Sequence, residues 1–375
     1  MKIAFCINAL THYYNPILKR LSEQYPELDV FHPAEDSLTV GDGVRLNQKI
    51  DFRAYPLAEE KCLGKPWLKG LGDKLIQGRY DVCIVVVEYW RSIFLHPGEY
   101  LKIKKSGCKI IVKHIPFRLG LYNGKVLGLS LTLMKAWAER MTLSLADSSV
   151  CYVDPDVQYR KIKLTIPYTI IGNSPDTESL IPIIDKLPRA PESTTFRFVS
   201  VGRMVRSKNF ELIVRAVELM KADGLAESYC VTIVGDGPDQ NRLMSMVESK
   251  GLQKEIVFER GVYEPESLYR KLLDSDVAIM PGLGGLFLND CLMASLPVLC
   301  SVGDGTEDVL ITHGKTGLRF AENDETSLRH WMVFCLRNRA LIRGMRRNCR
   351  SIIDTEMNVW TVINGYREGI TSTAG

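Results

Sequence analysis

Apolar runs without polar alternation recur along this chain, each followed by a turn and an amphipathic stretch. Lys2 to Asn8, Asp81 to Val87 and Lys109 to Lys113 are of this kind. Such runs predict strands covered on both faces, as in a parallel sheet flanked by helices. Asp29 to Phe31, Phe52 to Tyr55, Ala146 to Tyr152 and Ile166 to Asn173 read as further short strands, with helices expected over Tyr14 to Gln24 and Leu129 to Leu145. The second half repeats the rhythm. Strands are expected at Phe196 to Val201, Val231 to Val234, Ile256 to Phe258 and Val277 to Met280. A helix after Lys208 carries Leu212, Ile213, Ala216, Val217 and Met220 on one face, with Asn209 as its expected N-cap. Pro182, Pro188 and Pro191 mark a break between the halves. The domain division expected is therefore 1–174, a linker over 175–192, and a second domain over 193–350.

A length of 375 residues fits two domains of this α/β type. Hydrophobic residues at 46% and charged residues at 25% are ordinary for a folded enzyme, and a net charge of +4 argues against a dedicated nucleic-acid binder. The ten cysteines show no CxxC spacing, and Cys6, Cys83 and Cys300 fall inside apolar runs, which points to buried free thiols of a reducing cytoplasm. MKIAFCINAL lacks the pattern of an export signal. The longest apolar stretch, Val126 to Leu145, is interrupted by Lys135, Glu139 and Arg140, so no membrane span is expected.

Candidate chemistry gathers where strands end. Arg203 and Lys208 follow Gly202 and flank the start of a helix, whose free N–H groups and dipole favour an anion; two cations there complete a seat for a diphosphate. Pro281 to Asp290, PGLGGLFLND, offers a second seat through the backbone of Gly284, Gly285 and Leu286, with Asp290 one turn into the next helix as an acceptor for ribose hydroxyls. Gly235 and Gly237 in GDGP allow close backbone approach, but without GxGxxG a dinucleotide site is disfavoured. His12, Tyr13 and Tyr14 after the first strand, and Glu88 to Arg91 after the apolar run Asp81 to Val87, are acceptor-side candidates, because open α/β sheets bind ligands at the carboxyl ends of their strands. Asp274-Ser275-Asp276 reads as a helix-end turn, and no His/Cys spacing suggests a metal.

The segments VGRMVRSKNF, VTIVGDGPDQNRL, VFERGVYEPESLYRKLLDSDVAIMPG, GGLFLNDCLMASLPVL and HGKTGLRF, in that order, resemble the C-terminal half of family 4 glycosyltransferases (glycosyl transferases group 1). The resemblance implies the GT-B fold, two Rossmann-like doubly wound α/β domains facing across a cleft, with residues 351–375 ending in a helix over Trp360 to Tyr366 that crosses back onto the first domain. It implies sugar transfer from a nucleotide diphosphate-sugar donor to a glycan or lipid-linked acceptor in glycoconjugate assembly. Retention of configuration is also implied, and from the residues themselves no metal cofactor is expected. It nominates His114 as a donor-sugar contact, the backbone of Gly261 and Val262 beside the nucleobase, and Asp290 at the second position of the family's E-x7-E pair. Gly282 stands at the first. A sugar-nucleotide epimerase and a non-catalytic sugar-nucleotide-binding subunit are the alternatives.

Two basic surfaces remain. Lys102, Lys104, Lys105, Arg118 and Lys125, interleaved with Phe117, Leu119, Leu121 and Tyr122, are expected to give peripheral contact with the cytoplasmic face of a membrane. Arg339, Arg343, Arg346, Arg347 and Arg350 recur at helical spacing, for which a solvated basic face is the expectation.

Overall fold

The computed structural model describes residues 1–35, 50–114, 134, 137–154, 165–225, 227–303 and 305–375. They form two compact units, Met1–Pro175 with Val359–Gly375, and Asp176–Asn358. The changeovers differ from the expected ones for local reasons. Residues 176–192 do not form a free linker: the helix Thr177–Ile184 packs into the second unit's core through Ile184, Leu180 and Ile181. The second changeover falls after Asn358 because Arg339–Thr355 is one unbroken helix, with Ile342, Met345, Cys349 and Ile353 on its buried face.

The first unit is built on strands β1 (Ile3–Cys6), β2 (Leu28–Pro33), β3 (Ala54–Leu57), β6 (Val82–Val86), β7 (Lys109–His114), β8 (Ser148–Cys151) and β9 (Tyr168–Ile170), with an antiparallel hairpin of β4 (Glu59–Cys62) and β5 (Lys65–Leu68). The main sheet runs β3-β2-β1-β6-β7-β8-β9, all parallel. Every residue of β1 and β6 is buried, as their unbroken apolar runs require of strands covered on both faces. The hairpin had no counterpart in the sequence reading. The final helix, Val359–Ala374, closes this unit by burying Val362, Ile363, Tyr366 and Ile370 in its core.

The second unit has strands β10 (Phe196–Val201), β11 (Tyr229–Val234), β12 (Ile256–Glu259), β13 (Val277–Met280), β14 (Val298–Cys300) and β15 (Gly317–Arg319) in the all-parallel order β12-β11-β10-β13-β14-β15. The chain winds outward from β10 to one edge, then from β13 to the other. The order therefore reverses between β10 and β13, and loops leaving the carboxyl ends of those two strands splay apart to leave a crevice. In the first unit the same reversal lies between β1 and β6.

Candidate functional site

At the crevice of the second unit, the loop after β10 carries Gly202, Arg203 and Lys208. Gly202 N–H donates to the Val234 carbonyl (3.0 Å) and Met204 N–H to the Asp236 carbonyl (2.9 Å), which fastens this loop to the one after β11. The contact is so close that a Cβ on Gly235 would stand 2.0 Å from the Gly202 carbonyl oxygen. Only glycine fits there. The Asp236 carboxylate in turn accepts from Gly261 N–H (2.9 Å), drawing in the loop after β12 with Gly261 and Val262. Arg203 and Lys208 are both half-buried.

Lys208 closes a short 3-10 turn, Arg206–Lys208, and the helix Phe210–Ala222 follows. Asn209 does not cap that helix with its side chain. Its backbone is left-handed (φ +55°) and its amide donates to Asn323 (2.9 Å), so the residue serves as a corner between turn and helix. The Lys208 ammonium reaches across to the Gly284 carbonyl (3.1 Å), while Leu283 N–H donates to the Ser207 carbonyl (3.1 Å). The loops after β10 and β13 are thus stitched together twice. Gly284, Gly285 and Leu286 lead into the helix Phe287–Met293, and their N–H groups donate to no backbone carbonyl among the described residues.

Gly282 explains itself sterically. A Cβ there would lie 2.4 Å from the Ser207 carbonyl oxygen and 3.0 Å from that of Lys208, so the glutamate of the E-x7-E pattern cannot occupy this backbone as it stands. A nearby carboxylate that the sequence reading missed is Glu307. It is fully buried and accepts from Gly303 N–H (2.7 Å) and Gly305 N–H (2.9 Å), with Arg319 3.9 Å away. It thereby shapes the loop after β14, whose Gly303 abuts the Gly282 carbonyl. A glutamate in the first turn of a short helix, just after Gly303 and Gly305, was the only available signal.

Asp290 accepts a 2.8 Å hydrogen bond from the Tyr269 hydroxyl. Burial pushes its carboxyl up to about 6, with the tyrosine's bond opposing the rise. Tyr269 was also missed, because on its helix it occupies an ordinary apolar position.

In the first unit, His12 and Tyr13 are exposed on the loop after β1, their rings edge to face at 5.3 Å. The next residue, Tyr14, is buried. Its hydroxyl bonds that of Tyr366 and its ring lies 4.1 Å from the Lys113 ammonium, which anchors the loop to the final helix and to β7. Glu88 lies in the one-turn helix Val87–Trp90 and Arg91 immediately follows. His114, the last residue of β7, is buried (2% exposed). Its Nδ1 is 3.9 Å from Glu139, whose other carboxylate oxygen accepts from Arg91 at 2.6 Å. The structure therefore joins two residues nominated separately, His114 and Arg91, through a buried carboxylate (4% exposed) that was not nominated. The signal was its charge, which interrupts the apolar run Val126 to Leu145.

Of the basic membrane patch, Lys102 is held by Asp73 (2.6 Å) and Glu99 (3.2 Å), so its charge is matched locally. Arg118, Lys125 and the intervening apolar residues lie outside the described residues, as does most of the expected helix before residue 137. Among the described residues no helix is long and apolar enough to cross a membrane.

Both parallel sheets with their switch-point loops define the GT-B class. A crystal structure of Anabaena HepE in complex with UDP superposes with a TM-score of 0.70 at 13% identity, covering 99% of this chain and 100% of that one. A lipopolysaccharide outer core galactosyltransferase, WaaB in its apo form, gives 0.67 at 14% identity, covering 99% of each chain. Residues 168–351 match the family of glycosyl transferases group 1, so it is the second unit that is similar to a glycosyltransferase domain. The protein of Salmonella typhimurium named for colanic acid biosynthesis, glycosyltransferase WcaL, is 29% identical over 140 residues. That stretch covers 35% of this chain and 33% of the relative's own length.

Proposed function

We propose that the protein transfers a glycosyl group from a nucleoside diphosphate sugar to a glycan or lipid-linked acceptor in the assembly of a surface polysaccharide or glycoconjugate. The observation that carries this reading is the doubly stitched pair of loops at the β10/β13 switch point. It holds Lys208, on the same loop as Arg203, against the carbonyl of Gly284, where the glycine loop of Gly284, Gly285 and Leu286 leads into its helix. HepE was crystallised with UDP, WcaL is named for a polysaccharide and WaaB for a lipopolysaccharide, which makes UDP the first nucleotide to test.

In this reading the bond between the sugar's anomeric carbon and the β-phosphate oxygen breaks, leaving negative charge on the diphosphate. Arg203, Lys208 and the N–H groups stabilise that charge as it develops. The acceptor oxygen bonds to the anomeric carbon and gives its proton to the departing phosphate, so the configuration is retained and no protein nucleophile is required. Asp290 holds the ribose hydroxyls, Gly261 and Val262 lie beside the base, and His114 contacts the donor sugar. His12, Tyr13, Glu88 and Arg91 serve the acceptor. We place the reaction in the cytoplasm at the face of a membrane, with no nucleic-acid partner and no metal.

A thermal-shift screen of nucleoside diphosphates tests the first step, since a ligand at about 100 times its dissociation constant stabilises a fold by roughly 2.7 kcal/mol. NMR of the product formed from the matching sugar nucleotide reads the anomeric configuration. No shift with any nucleoside diphosphate overturns the reading, and an inverted product overturns its mechanism.

A further inference from the structure

The arginine face of the helix Arg339–Thr355 is only partly the solvated surface its spacing suggested: Arg343 and Arg347 are exposed, but Arg339 and Arg346 are half-buried. Three of its guanidinium groups turn toward residues 189–197 and line a cavity at the opposite end of the second sheet from the switch-point loops. The cavity measures about 80 Å³ and is bordered by Arg189, Arg197, Arg339, Arg343 and Arg346, with Asp276 and Glu192 as its carboxylates. Phe196 opens β10 and Asp276 immediately precedes β13, which places the cavity at the amino ends of these strands.

The protein's own groups satisfy only part of this cluster. Arg339 donates to the carbonyls of Ser193 (2.8 Å) and Thr194 (2.6 Å), and Arg189 to that of Leu273 (3.3 Å) and to Ala294. Arg346 reaches Asp276 at 3.4 Å, and Arg343 pairs with the largely exposed Glu192. The Nε groups of Arg197 and Arg346 are buried with no hydrogen-bond acceptor. The Asp276 carboxylate is 3.9 Å from Arg197 Nε, beyond bonding reach, because the same oxygen accepts from Arg197 N–H at 2.9 Å. Burial and the neighbouring Arg346 push the Arg189 guanidinium down to about 10, against the pull of Asp276. Burial likewise lowers Arg346, and Arg343 adds to the effect.

Five guanidinium groups against two carboxylates leave an excess of positive charge around a space of about 80 Å³, room for several waters or for one tetrahedral oxyanion. Water filling it would serve the buried Nε donors without neutralising the charge. A phosphate group does both, since its oxygens match the planar fork of arginine and its charge offsets the mutual repulsion. We propose that this cavity is a phosphate-binding site, separate from the switch-point seat, for inorganic phosphate, a soluble phosphomonoester or the headgroup of a phosphate-bearing lipid. Occupancy would tie residues 189–197 to the helix that bears Arg343 and Arg346.

The test uses the full chain carrying Arg203→Ala and Lys208→Ala, so that the switch-point seat offers phosphate no cation. Calorimetric titration with inorganic phosphate at constant ionic strength, set by chloride, should show saturable binding. Arg343→Ala, at an exposed position, and Arg346→Gln should each weaken it roughly tenfold, equivalent to about 1.4 kcal/mol. Glu192→Gln should tighten it severalfold, a gain that misfolding cannot mimic. Flotation with phosphatidic acid vesicles separates the sources: binding lost in Arg343→Ala identifies the lipid headgroup, and none identifies the soluble phosphate. Absence of binding to both probes, or affinities unmoved by all three substitutions, overturns the proposal.

Discussion

The Lys208 ammonium donates a 3.1 Å hydrogen bond to the Gly284 carbonyl oxygen, so a cation of one switch-point loop is held against the backbone of the other. An incoming diphosphate meets a charge already in position rather than one on a free four-carbon tether, which lowers the reorganisation its binding requires. Arg203→Ala and Lys208→Ala are each expected to lower turnover by roughly 10²-fold, the scale of removing one preorganised donor. Steady-state assays and thermal melts check this together, with near-normal turnover in both variants counting against the assignment.

Asp290 gives a pH signature. Its carboxyl is raised to about 6 in the fold, so the protonated form is the one that folding favours. Its contribution to stability is full below the ordinary carboxylate pKa of about 3.9 and is lost as pH rises through about 6. Asp290→Asn should therefore stabilise the ligand-free protein at neutral pH, by about 1 to 2 kcal/mol after allowance for solvent screening, and barely at all at pH near 4. Nucleotide affinity should move the other way, weakening in the wild type as the carboxylate is protonated below about 6. Melts and calorimetry across that range provide the check.

Restoring the family's carboxylate at residue 282 should fail. A Cβ there collides with the Ser207 carbonyl, part of the backbone that positions Lys208. Gly282→Glu is expected to cost about 1 to 3 kcal/mol and to reduce nucleotide binding by displacing the turn. A melt unchanged from wild type, with equal or higher activity, would show that the loop yields.

Glu139 is expected to act on the reaction through His114. Glu139→Gln removes the charge that both His114 and Arg91 face while keeping side-chain volume. Turnover should fall roughly 10- to 100-fold through loss of orientation, whereas affinity for free nucleoside diphosphate should stay near wild type. His114→Ala should give the same split. Equal losses of nucleotide affinity in Asp290→Ala and His114→Ala would refute this division of labour.

The proposed chemistry, with charge stabilised by arginine, lysine and backbone N–H groups, calls for no divalent ion. Turnover should be unchanged by exhaustive treatment with a chelator, measured beside an aliquot resupplied with magnesium or manganese. A loss that either metal restores would contradict the proposed chemistry.

Much of this site was legible because its signals are local. Gly202, Arg203 and Lys208 lie within one strand-turn-helix, and the glycine loop precedes its own helix. Asn209 shows the limit: its residue type is that of an N-cap, but packing of the turn forces a left-handed backbone and sends its amide to Asn323. Tyr269 and Glu139 were illegible as partners. The hydrogen bond to Asp290 and the ion pair to Arg91 join separate elements, and no periodicity records which helices become neighbours.

The sequence by itself determined the two parallel α/β sheets, since an unbroken apolar run is soluble only when covered on both faces. It also determined which strand ends carry cations and glycines. Tertiary structure alone decided that Gly282 is a packing requirement, that His114 and Arg91 share one buried carboxylate, and that Arg339, Arg343 and Arg346 line a cavity. Helical spacing places arginines on a common side, but whether that side meets water or protein is set by the segment that crosses it. Here that segment is residues 189–197, whose carbonyls accept from Arg339 and whose Glu192 pairs with Arg343.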